Sequence, residues 1–459
     1  MDEKCFSQFN GYQVKDATAR RKLESFTTVK AHGAKGDGVT DDTAAINDAL
    51  DSGCGMVYFP AGTYLVNGLV SSYYDNMDNS GLIVKSNTNI VLAPGAVIQQ
   101  TGGTNSERSV IFNLNGVENV EICGGTLIGD SETHIFGTSG SSDEWGHGIS
   151  IRKSKNVYIH DMTIKNMSGD GIYVGQTGTY SDTTDVHNYN VMIERCNITH
   201  IGRNGISMTE CNGWKINDCR ITDVYRTSPM SAIDVELEGD YEPVCKNGHI
   251  SNCYFSGVYA GIHNWTTGEL LTVENCRGAN SVYMGGSITK LRNVPGTYIA
   301  YENADIESTD SDMALLAESY CKVKLVNCAF KANGQTYADI EMHNCKTNGS
   351  IIFSGGLLAV GTTFNIDDGD YALYLRGEKN LIKDCTFVRK VAPAYHALTV
   401  ATGTKLVMIG CNVINEMDNT SNYAMFNNNG GEVVTNNCYS GFASVAAVDL
   451  AEGCVNFNA

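Results

Sequence analysis

Three carboxylates alternate with apolar residues in one short stretch, Ile233-Asp-Val-Glu-Leu-Glu238. In a β-strand, Asp234, Glu236 and Glu238 would share one face, since successive side chains point to opposite faces. Residues two apart on a strand lie about 6.6–7 Å apart. Their carboxyl groups can therefore adopt the spacing of about 5–5.5 Å typical of retaining glycosidases, or about 6.5–9.5 Å typical of inverting ones. We predict Asp234 and Glu236 as a catalytic pair and Glu238 as a substrate contact. The structural alternative is an exposed, solvated acidic face.

The same five-residue pattern recurs along the chain, with isoleucine at its centre. Its copies are His147-Gly-Ile-Ser-Ile151, Asp170-Gly-Ile-Tyr-Val174, Asn204-Gly-Ile-Ser-Met208, Ser231-Ala-Ile-Asp-Val235 and Ala260-Gly-Ile-His-Asn264. If the isoleucines point inward, the residue after each one points outward, which places Tyr173, Asp234 and His263 in one outer column. Arg152, Glu236 and Trp265 fall in the next outer column. Stacked strands lie about 4.8 Å apart, so these columns would form a sugar-sized patch.

This patch and its neighbours supply the remaining site predictions. Clustered titratable and aromatic groups favour a functional site over a bare strand face. We predict His263 and Asp170 as further catalytic residues, although the slots of Asp170 and His147 are equally typical of buried hydrogen-bonding residues. The predicted substrate contacts are Tyr173, Arg152, Trp265, Trp145, Glu238, His147 and Arg203.

A second repeat predicts the fold. An apolar alternation, a polar residue, a cysteine and a second alternation recur around Cys196, Cys219, Cys253 and Cys276, at successive separations of 23, 34 and 23 residues. Short strands at this period are typical of the coils of a parallel β-helix. Asn or Asp directly before the cysteine suggests an internal amide ladder, and the cysteines themselves are typical of buried thiols. The sequence therefore predicts an all-β, right-handed parallel β-helix, or solenoid.

The N-terminal region predicts a cap for this solenoid. Residues 1–25 form a polar leader, helical or flexible, and residues 26–459 are predicted as one β-helix domain. Thr40 or Asp41 can cap a short helix that follows. The stretches Gly36-Asp-Gly-Val-Thr-Asp-Asp-Thr-Ala-Ala-Ile46 and Phe59-Pro-Ala-Gly-Thr-Tyr64 resemble the opening of the pectate-lyase-like β-helix superfamily. Residues 11–20 also resemble the leaders of prophage tail proteins.

That resemblance implies polygalacturonase-like glycoside hydrolases, polysaccharide lyases and epimerases, or phage tailspike depolymerases. It is specific for the fold and not for the chemistry. Gly146-His-Gly148 matches one polygalacturonase motif, but it precedes the candidate acids instead of following them, and no matching Asp-Asp or Arg-Ile-Lys follows. The Asp-Pro-His signature of mannuronan epimerases is absent from the sequence. The resemblance therefore implies a superfamily without naming a reaction.

The bulk composition excludes several partners. A formal charge of −19 disfavours nucleic acid, whose recognition needs a basic surface. No apolar run approaches the length of a membrane span, and the first residues lack the layout of a signal peptide. Cys-x-x-Cys pairs are absent, so no zinc site or other cofactor is expected. We expect a carbohydrate partner, a monomer or homotrimer, and a cytoplasmic or virion- and prophage-associated location.

Three functions remain open. A glycoside hydrolase would need Asp234 and Glu236. A lyase or epimerase acting on a uronic-acid polymer would need a base, Tyr173 or His263, and a cation, Arg152 or calcium, to neutralise the sugar carboxylate. A phage-tail or adhesin protein would use the same side chains only to bind glycan, without turnover.

Overall fold

The computed structural model describes residues 25–68, 80–101, 109–136, 144–175, 187–236, 245–266, 269–278, 281–301, 303–317, 321–331, 334–366, 373–389, 398–415, 426–436, 438–440 and 455–456. The chain divides into a first unit, Met1–Met230, and a second unit, Ser231–Ala459. In the described residues, helix is confined to a 3₁₀ turn, Val29–His32, and to α1, Thr43–Asp51. Everything else that is regular is strand.

The first unit contains the strands β1 Phe26–Thr28, β2 Asp37–Asp41, β3 Met56–Phe59, β4 Gly62–Val66, β5 Leu82–Ile83, β6 Thr88–Gln100, β7 Ser109–Asn115, β8 Glu118–Ile128, β9 Gly146–Arg152, β10 Lys155–His160, β11 Thr163–Lys165, β12 Ile172–Gly175, β13 Tyr189–Glu194, β14 Asn197–Ile201, β15 Ile206–Met208, β16 Cys211–Asn217 and β17 Arg220–Val224. β7, β9, β12 and β15 pair in parallel, each with the next. β8, β10, β13 and β16 do the same on another side of each coil. Parallel pairing of strands from successive coils is the defining feature of a β-helix.

The second unit contains the strands β18 Ser231–Glu236, β19 Cys245–Ser251, β20 Tyr254–Ser256, β21 Ala260–Trp265, β22 Leu270–Glu274, β23 Arg277–Gly278, β24 Ser281–Met284, β25 Ile288–Arg292, β26 Gly296–Ala300, β27 Asp305–Thr309, β28 Asp312–Ala317, β29 Lys322–Val326, β30 Ala329–Lys331, β31 Gly334–Thr336, β32 Asp339–His343, β33 Lys346–Asn348, β34 Ile351–Phe353, β35 Leu357–Val360, β36 Thr363–Ile366, β37 Leu373–Leu375, β38 Lys379–Lys383, β39 Thr386–Arg389, β40 Leu398–Val400, β41 Lys405–Ile409, β42 Asn412–Asn415, β43 Phe426–Asn428, β44 Glu432–Asn436, β45 Tyr439–Ser440 and β46 Val455–Asn456. β18, β21, β24 and β26 pair in parallel in that order. The all-β, parallel β-helix prediction is therefore confirmed.

The predicted isoleucine column forms part of the core. In the first unit Ile149 faces Ile172, which faces Ile206, and all three side chains are fully buried. In the second unit Ile233 faces Ile262 in the same way. Stacking like residues on successive coils fills the interior with apolar groups of matched shape, and burial of each such side chain contributes about 1.5–3 kcal/mol.

The cysteines and the turn residues follow the same stacking. Most of the described cysteines are buried, as predicted, while Cys54, Cys123 and Cys438 are half-buried. Asn252 and Asn275 adopt left-handed backbone angles, which asparagine tolerates better than most residues. The side-chain Nδ2 of Asn275 donates to the side-chain Oδ1 of Asn252 at 3.3 Å. This ladder lies at the surface, so the prediction of an internal ladder is wrong. The left-handed turn directs these short side chains outward.

The N-terminal helix is present, and Asp42 is the residue directly before it. Asp42 is the N-cap residue of α1, and its side chain makes no capping hydrogen bond. Its two carboxylate oxygens instead accept hydrogen bonds from the amides of Lys35 and Gly36, at 2.6 and 2.9 Å. Thr40 and Asp41 end β2, and Asp41 Oδ1 accepts a hydrogen bond from the amide of Thr43, the first residue of α1, at 3.0 Å, as predicted for a capping carboxylate. The Asp42 carboxylate thus binds the turn at Lys35 and Gly36 and does not cap α1.

Candidate active site

Strand β18 presents the two predicted acids on one face. Ile233 and Val235 are buried in the core, whereas Asp234 faces His263 and Glu236 faces Trp265 on the adjacent strand β21. The alternation predicted from the sequence is therefore observed for Asp234 and Glu236. Glu238 lies outside the described residues.

Asp234 and His263 form a hydrogen-bonded pair. The distance from His263 Nδ1 to Asp234 Oδ1 is 2.7 Å. The Asp234 side chain is fully buried, while that of His263 is 21% exposed. Since an ionised carboxylate only accepts hydrogen bonds, His263 donates through Nδ1, which leaves Nε2 as the nitrogen available to a substrate. Asp234 thus lies beneath the surface, so its prediction as an exposed outer-face residue is wrong, and it is hydrogen-bonded to a more exposed imidazole.

Aromatic rings extend outward from this pair. We call Tyr259, His263, Trp265, Tyr283 and Tyr301 the aromatic platform. His263 lies 5.6 Å from Trp265 and 6.1 Å from Tyr283, measured between ring centroids. Tyr283 is stacked on Tyr259 at 5.4 Å, and Trp265 lies 5.1 Å from Tyr301. Trp265 and Tyr259 are 45% and 60% exposed, so the platform offers aromatic surface to solvent.

A glycine shapes this platform. A Cβ atom placed on Gly285 would lie 2.8 Å from two atoms of the Trp265 indole. The indole therefore packs over the bare backbone of Gly285 on the next coil. This close approach leaves Trp265 within ring-contact distance of Tyr301, which follows β26 one coil further on.

The chemistry of Tyr283 is set by its surroundings. Burial, together with a hydrogen bond to Tyr259, raises the pKa of Tyr283 to about 12. The phenol therefore stays protonated at neutral pH and remains a hydrogen-bond donor. Tyr259, Tyr283 and Tyr301 were missed from the sequence. The alternation in Ser281–Met284 was the available signal, but the coil that carries it is shorter than those before it.

The remaining predicted site residues described by the structure lie in the first unit. Asp170 is fully buried and accepts hydrogen bonds from Arg203 Nη1 at 3.3 Å and from the Asn204 amide at 3.1 Å. His147 Nδ1 lies 3.7 Å from Asp170 Oδ2. The His147 ring is stacked on Tyr173 at 4.9 Å, and Trp145 contacts both rings. These residues form one compact polar and aromatic cluster.

This cluster is buried, which corrects part of the prediction. Tyr173 and Arg152 were placed on an outer face available to a sugar, yet they are only 2% and 4% exposed. The Tyr173 hydroxyl occupies the space that a side chain at Gly175 would fill. Arg152 donates to Asn113 Oδ1 at 3.0 Å. Tyr173, Arg152, His147 and Asp170 are thus covered, whereas Trp145 and Arg203 are half-buried.

No metal cluster is evident at the platform. Among the residues that the structure describes, Asp234, Glu236 and His263 belong to no group of three ligand atoms close enough to share an ion. The calcium ion of the lyase alternative therefore remains an expectation. In the same part of the chain, no helix is long and apolar enough to span a membrane.

Comparisons with known proteins agree with the fold. Residues 26–119 match the family described as rhamnogalacturonase A/epimerase, pectate lyase-like, and residues 147–277 match the right-handed β-helix region. The resemblance to the pectate-lyase-like β-helix superfamily, and the right hand of the helix, are thereby confirmed. The family description names carbohydrate-active enzymes.

Individual relatives include phage proteins. The chain is 32% identical to the uncharacterized protein YclG of Bacillus subtilis over 55% of this chain and 45% of that one. It is 29% identical to the pre-neck appendage protein of Bacillus phage phi29 over 58% of this chain and 31% of that one. The chain thus spans less than half the length of these relatives. A tailspike protein of E. coli bacteriophage HK620 shares the fold, with a TM-score of 0.53 and 12% identity over 94% of this chain and 84% of that one.

Proposed function

We propose that this chain is a glycoside hydrolase that binds a poly- or oligosaccharide on the aromatic platform and cleaves it beside Asp234, Glu236 and His263. The hydrogen-bonded Asp234–His263 pair at the edge of exposed aromatic rings carries this proposal. Sugar rings have apolar C–H faces that pack on aromatic side chains, and the platform offers several such faces in sequence. The family description of residues 26–119, which names carbohydrate-active enzymes, supports the same class of substrate.

The residues divide the chemistry between them. Glu236, the more exposed carboxyl, donates a proton to the glycosidic oxygen as the bond to the anomeric carbon breaks. His263 takes a proton from the attacking water through Nε2, and the water oxygen forms the new bond to the anomeric carbon. Asp234 is a positioning residue, because it holds the imidazole through Nδ1 and stabilises the imidazolium that forms. One hydrogen of the water is then on His263, the other remains on the new sugar hydroxyl, and the Glu236 proton is on the leaving oxygen.

Charge favours a neutral sugar over an acidic one. Asp234 and Glu236 place two carboxylates on this face, and the whole chain carries a formal charge of −19. A uronate would approach this face against electrostatic repulsion, whereas a neutral sugar would not. The proposal therefore names a neutral glycan as substrate.

A lyase or epimerase acting on a uronic-acid polymer is the second candidate. The Asp234–His263 hydrogen bond favours it too, since an imidazole oriented in this way can abstract a proton from sugar carbon C5. The Tyr283 phenol, held protonated, could return a proton to the leaving oxygen. This reaction would additionally need a cation to neutralise the uronate carboxylate.

The decisive experiment is a reducing-end assay over a panel of neutral and acidic glycans. The wild-type chain is compared with Glu236→Gln, His263→Gln and Asp234→Asn, each expected to lower kcat by about 10²–10⁴. Glu307→Gln is the matched control, because Glu307 is an exposed carboxyl of the same unit whose partner is Lys290. Asp234→Asn should change kcat and the pH profile with little change in KM, since it acts through His263.

The outcomes separate the candidates. New reducing ends that disappear in the three variants and persist in the control support the hydrolase. Products that absorb in the ultraviolet as unsaturated uronates support a lyase instead. Glycan binding that is lost in Trp265→Ala, without turnover in the wild-type chain, would replace both enzymes with a non-catalytic appendage protein, a role named for the phage phi29 relative.

A further inference from the structure

A second cluster of potential ligands lies in the first unit, on strands β8 and β10. Glu121 and Cys123 are two residues apart on β8 and therefore share a face. His160 on β10 is the register partner of Cys123. The carboxylate, thiol and imidazole ligand atoms of these three residues all lie within 4.8 Å of one another. The cluster shares no residue with the candidate active site and is not used by the proposed function.

A carboxylate at each ring nitrogen orients the imidazole of His160. Its Nδ1 lies 2.6 Å from Asp161 Oδ2, and its Nε2 lies 2.9 Å from Glu121 Oε1. Arg195 fixes Asp161 in turn, by donating to both carboxylate oxygens at 2.8 and 2.9 Å. A carboxylate does not donate hydrogen bonds, so each ring nitrogen that faces one holds either a proton or a metal ion. Asp161 takes the proton on Nδ1, and Nε2 is directed at Glu121.

This arrangement matches a metal-binding histidine. Histidines that bind metal usually donate their other ring N–H to a carboxylate, which fixes the tautomer and the ring orientation. The Tyr158 ring stacks on His160 at 4.2 Å and further restricts it. His160 and Glu121 are buried, whereas Cys123 is half-buried, so an ion could enter from the side of the thiol.

We infer that Glu121, Cys123 and His160 bind a divalent transition-metal ion of the Zn²⁺ class, with water as the fourth ligand. Ligand atoms around a tetrahedral zinc ion lie about 3.3–3.8 Å apart, given bonds of about 2.0–2.3 Å. His160 Nε2 lies 2.9 Å from Glu121 Oε1, and no pair of the three ligand atoms is more than 4.8 Å apart, so small side-chain rotations close the site. A thiolate and a carboxylate together neutralise the charge of the ion. A thiolate and imidazole set also selects against Ca²⁺ and Mg²⁺, which prefer oxygen ligands.

The sequence alone predicted no zinc site, because the usual signal is two close cysteines. Here the ligands come from neighbouring coils, and Cys123 and His160 meet only through strand pairing. The ion would join β8 to β10 and act as a clip between two coils.

The test is a titration of the full chain, purified under reducing conditions and stripped with a chelator, using Co²⁺ as the probe. The expected result is a thiolate-to-cobalt charge-transfer band and the visible bands of four-coordinate cobalt, saturating at one equivalent and displaced by Zn²⁺. Cys123→Ser should abolish the charge-transfer band. Asp161→Asn should weaken binding by about 10–100-fold, as expected of a residue that positions a metal-binding histidine.

Two control variants make the test specific. Cys54→Ser removes another half-buried thiol of the same unit, and His200→Gln removes a histidine that is likewise hydrogen-bonded to a carboxylate, Asp223. Both should bind cobalt as the wild type does. If Cys123→Ser does not fold by circular dichroism, His160→Gln and Glu121→Gln provide the same comparison. A wild-type chain without the charge-transfer band, or a band that persists in Cys123→Ser, would overturn the site, as would loss of the band in Cys54→Ser.

Discussion

Replacing Gly285 with alanine should move the Trp265 indole without disturbing the β-helix. The new Cβ would lie 2.8 Å from the indole Cδ2 and Cε3 atoms, whereas ordinary contacts begin at 3.4 Å. The ring must therefore retreat by about 0.6 Å, the difference between these two distances, which is costly in a packed interior but cheap at a surface. Because Trp265 is 45% exposed, it can move toward solvent. We expect a loss of about 0.5–1.5 kcal/mol in the free energy of unfolding, the cost of an off-rotamer side chain.

The same substitution should also weaken ligand binding at the platform. A displaced Trp265 loses its contact with Tyr301, at 5.1 Å between centroids, and no longer continues the surface formed with His263. An aromatic contact is worth about 0.5–1.5 kcal/mol, so the Kd for a platform ligand should rise by about two- to tenfold. Trp265→Ala should produce a loss at least as large.

Two measurements check this reasoning, and only one needs a ligand. Acrylamide quenching of tryptophan fluorescence should increase in Gly285→Ala, and Trp265→Phe identifies which part of the signal belongs to Trp265. Glycan affinity is then measured in a double-mutant cycle. In the Trp265→Ala background, Gly285→Ala should change the binding free energy by less than about 0.5 kcal/mol, since the clash no longer exists. An unchanged quenching constant, or an undiminished effect in that background, would refute the proposed contact.

Three further substitutions test the core and the site. His263→Leu removes a charge-assisted hydrogen bond from the buried carboxylate of Asp234. It should lower the free energy of unfolding, measured in urea, by about 2–3 kcal/mol. A loss no larger than that of Asp234→Asn would show that the carboxylate does not depend on the imidazole. The pKa of Tyr283, raised from 10.0 to about 12, means that the folded state retains this proton longer than the unfolded state. Its contribution to stability is complete below pH 10 and is lost as the pH rises through 12. Between these two pH values, Tyr283→Phe should therefore lose less stability than the wild type. The ultraviolet titration of the variant should lack one group titrating near pH 12. Phe364 is fully buried and stacked on Phe387 at 4.9 Å, so Phe364→Ala should cost about 3–5 kcal/mol by leaving a cavity, whereas an equal loss in Phe364→Leu would argue against one.

The fold could be predicted because a β-helix repeats one local pattern. Ile149, Ile172 and Ile206 occupy equivalent positions along the chain, and stacking makes them neighbours in the core. The same rule placed His263 beside Asp234 on adjacent coils. What the sequence shows is which side chains share a column, since the period of each strand is fixed at two.

The exposure of a column could not be predicted in the same way. Tyr173 was expected to face a sugar, but Gly175 leaves room for its hydroxyl, and Asn188 donates to the Gly175 carbonyl oxygen at 2.9 Å. Contacts of this kind come from outside the repeated strand columns, so a strand pattern does not encode them. The platform tyrosines that were missed show the opposite error. Because the coils differ in length, residues of one outer column recur at irregular intervals in the sequence, although the column is continuous in space.

The position of Gly285 in its column explains how a regular stack can produce an irregular surface. In register, Glu236 is followed by Trp265, then by Gly285, and then by Tyr301 near the end of the next strand. If position 285 also carried a large side chain, the four side chains of this column would follow one another at the strand spacing of about 4.8 Å. They would then stack flat against each other and present only their edges. A residue without a side chain breaks this stack and lets the indole lean over the backbone, tilted at 50° to the Tyr301 ring. The carboxylates precede the gap and the rings surround it, so the shape of the proposed sugar site depends on Gly285 as much as on the residues that would touch the sugar.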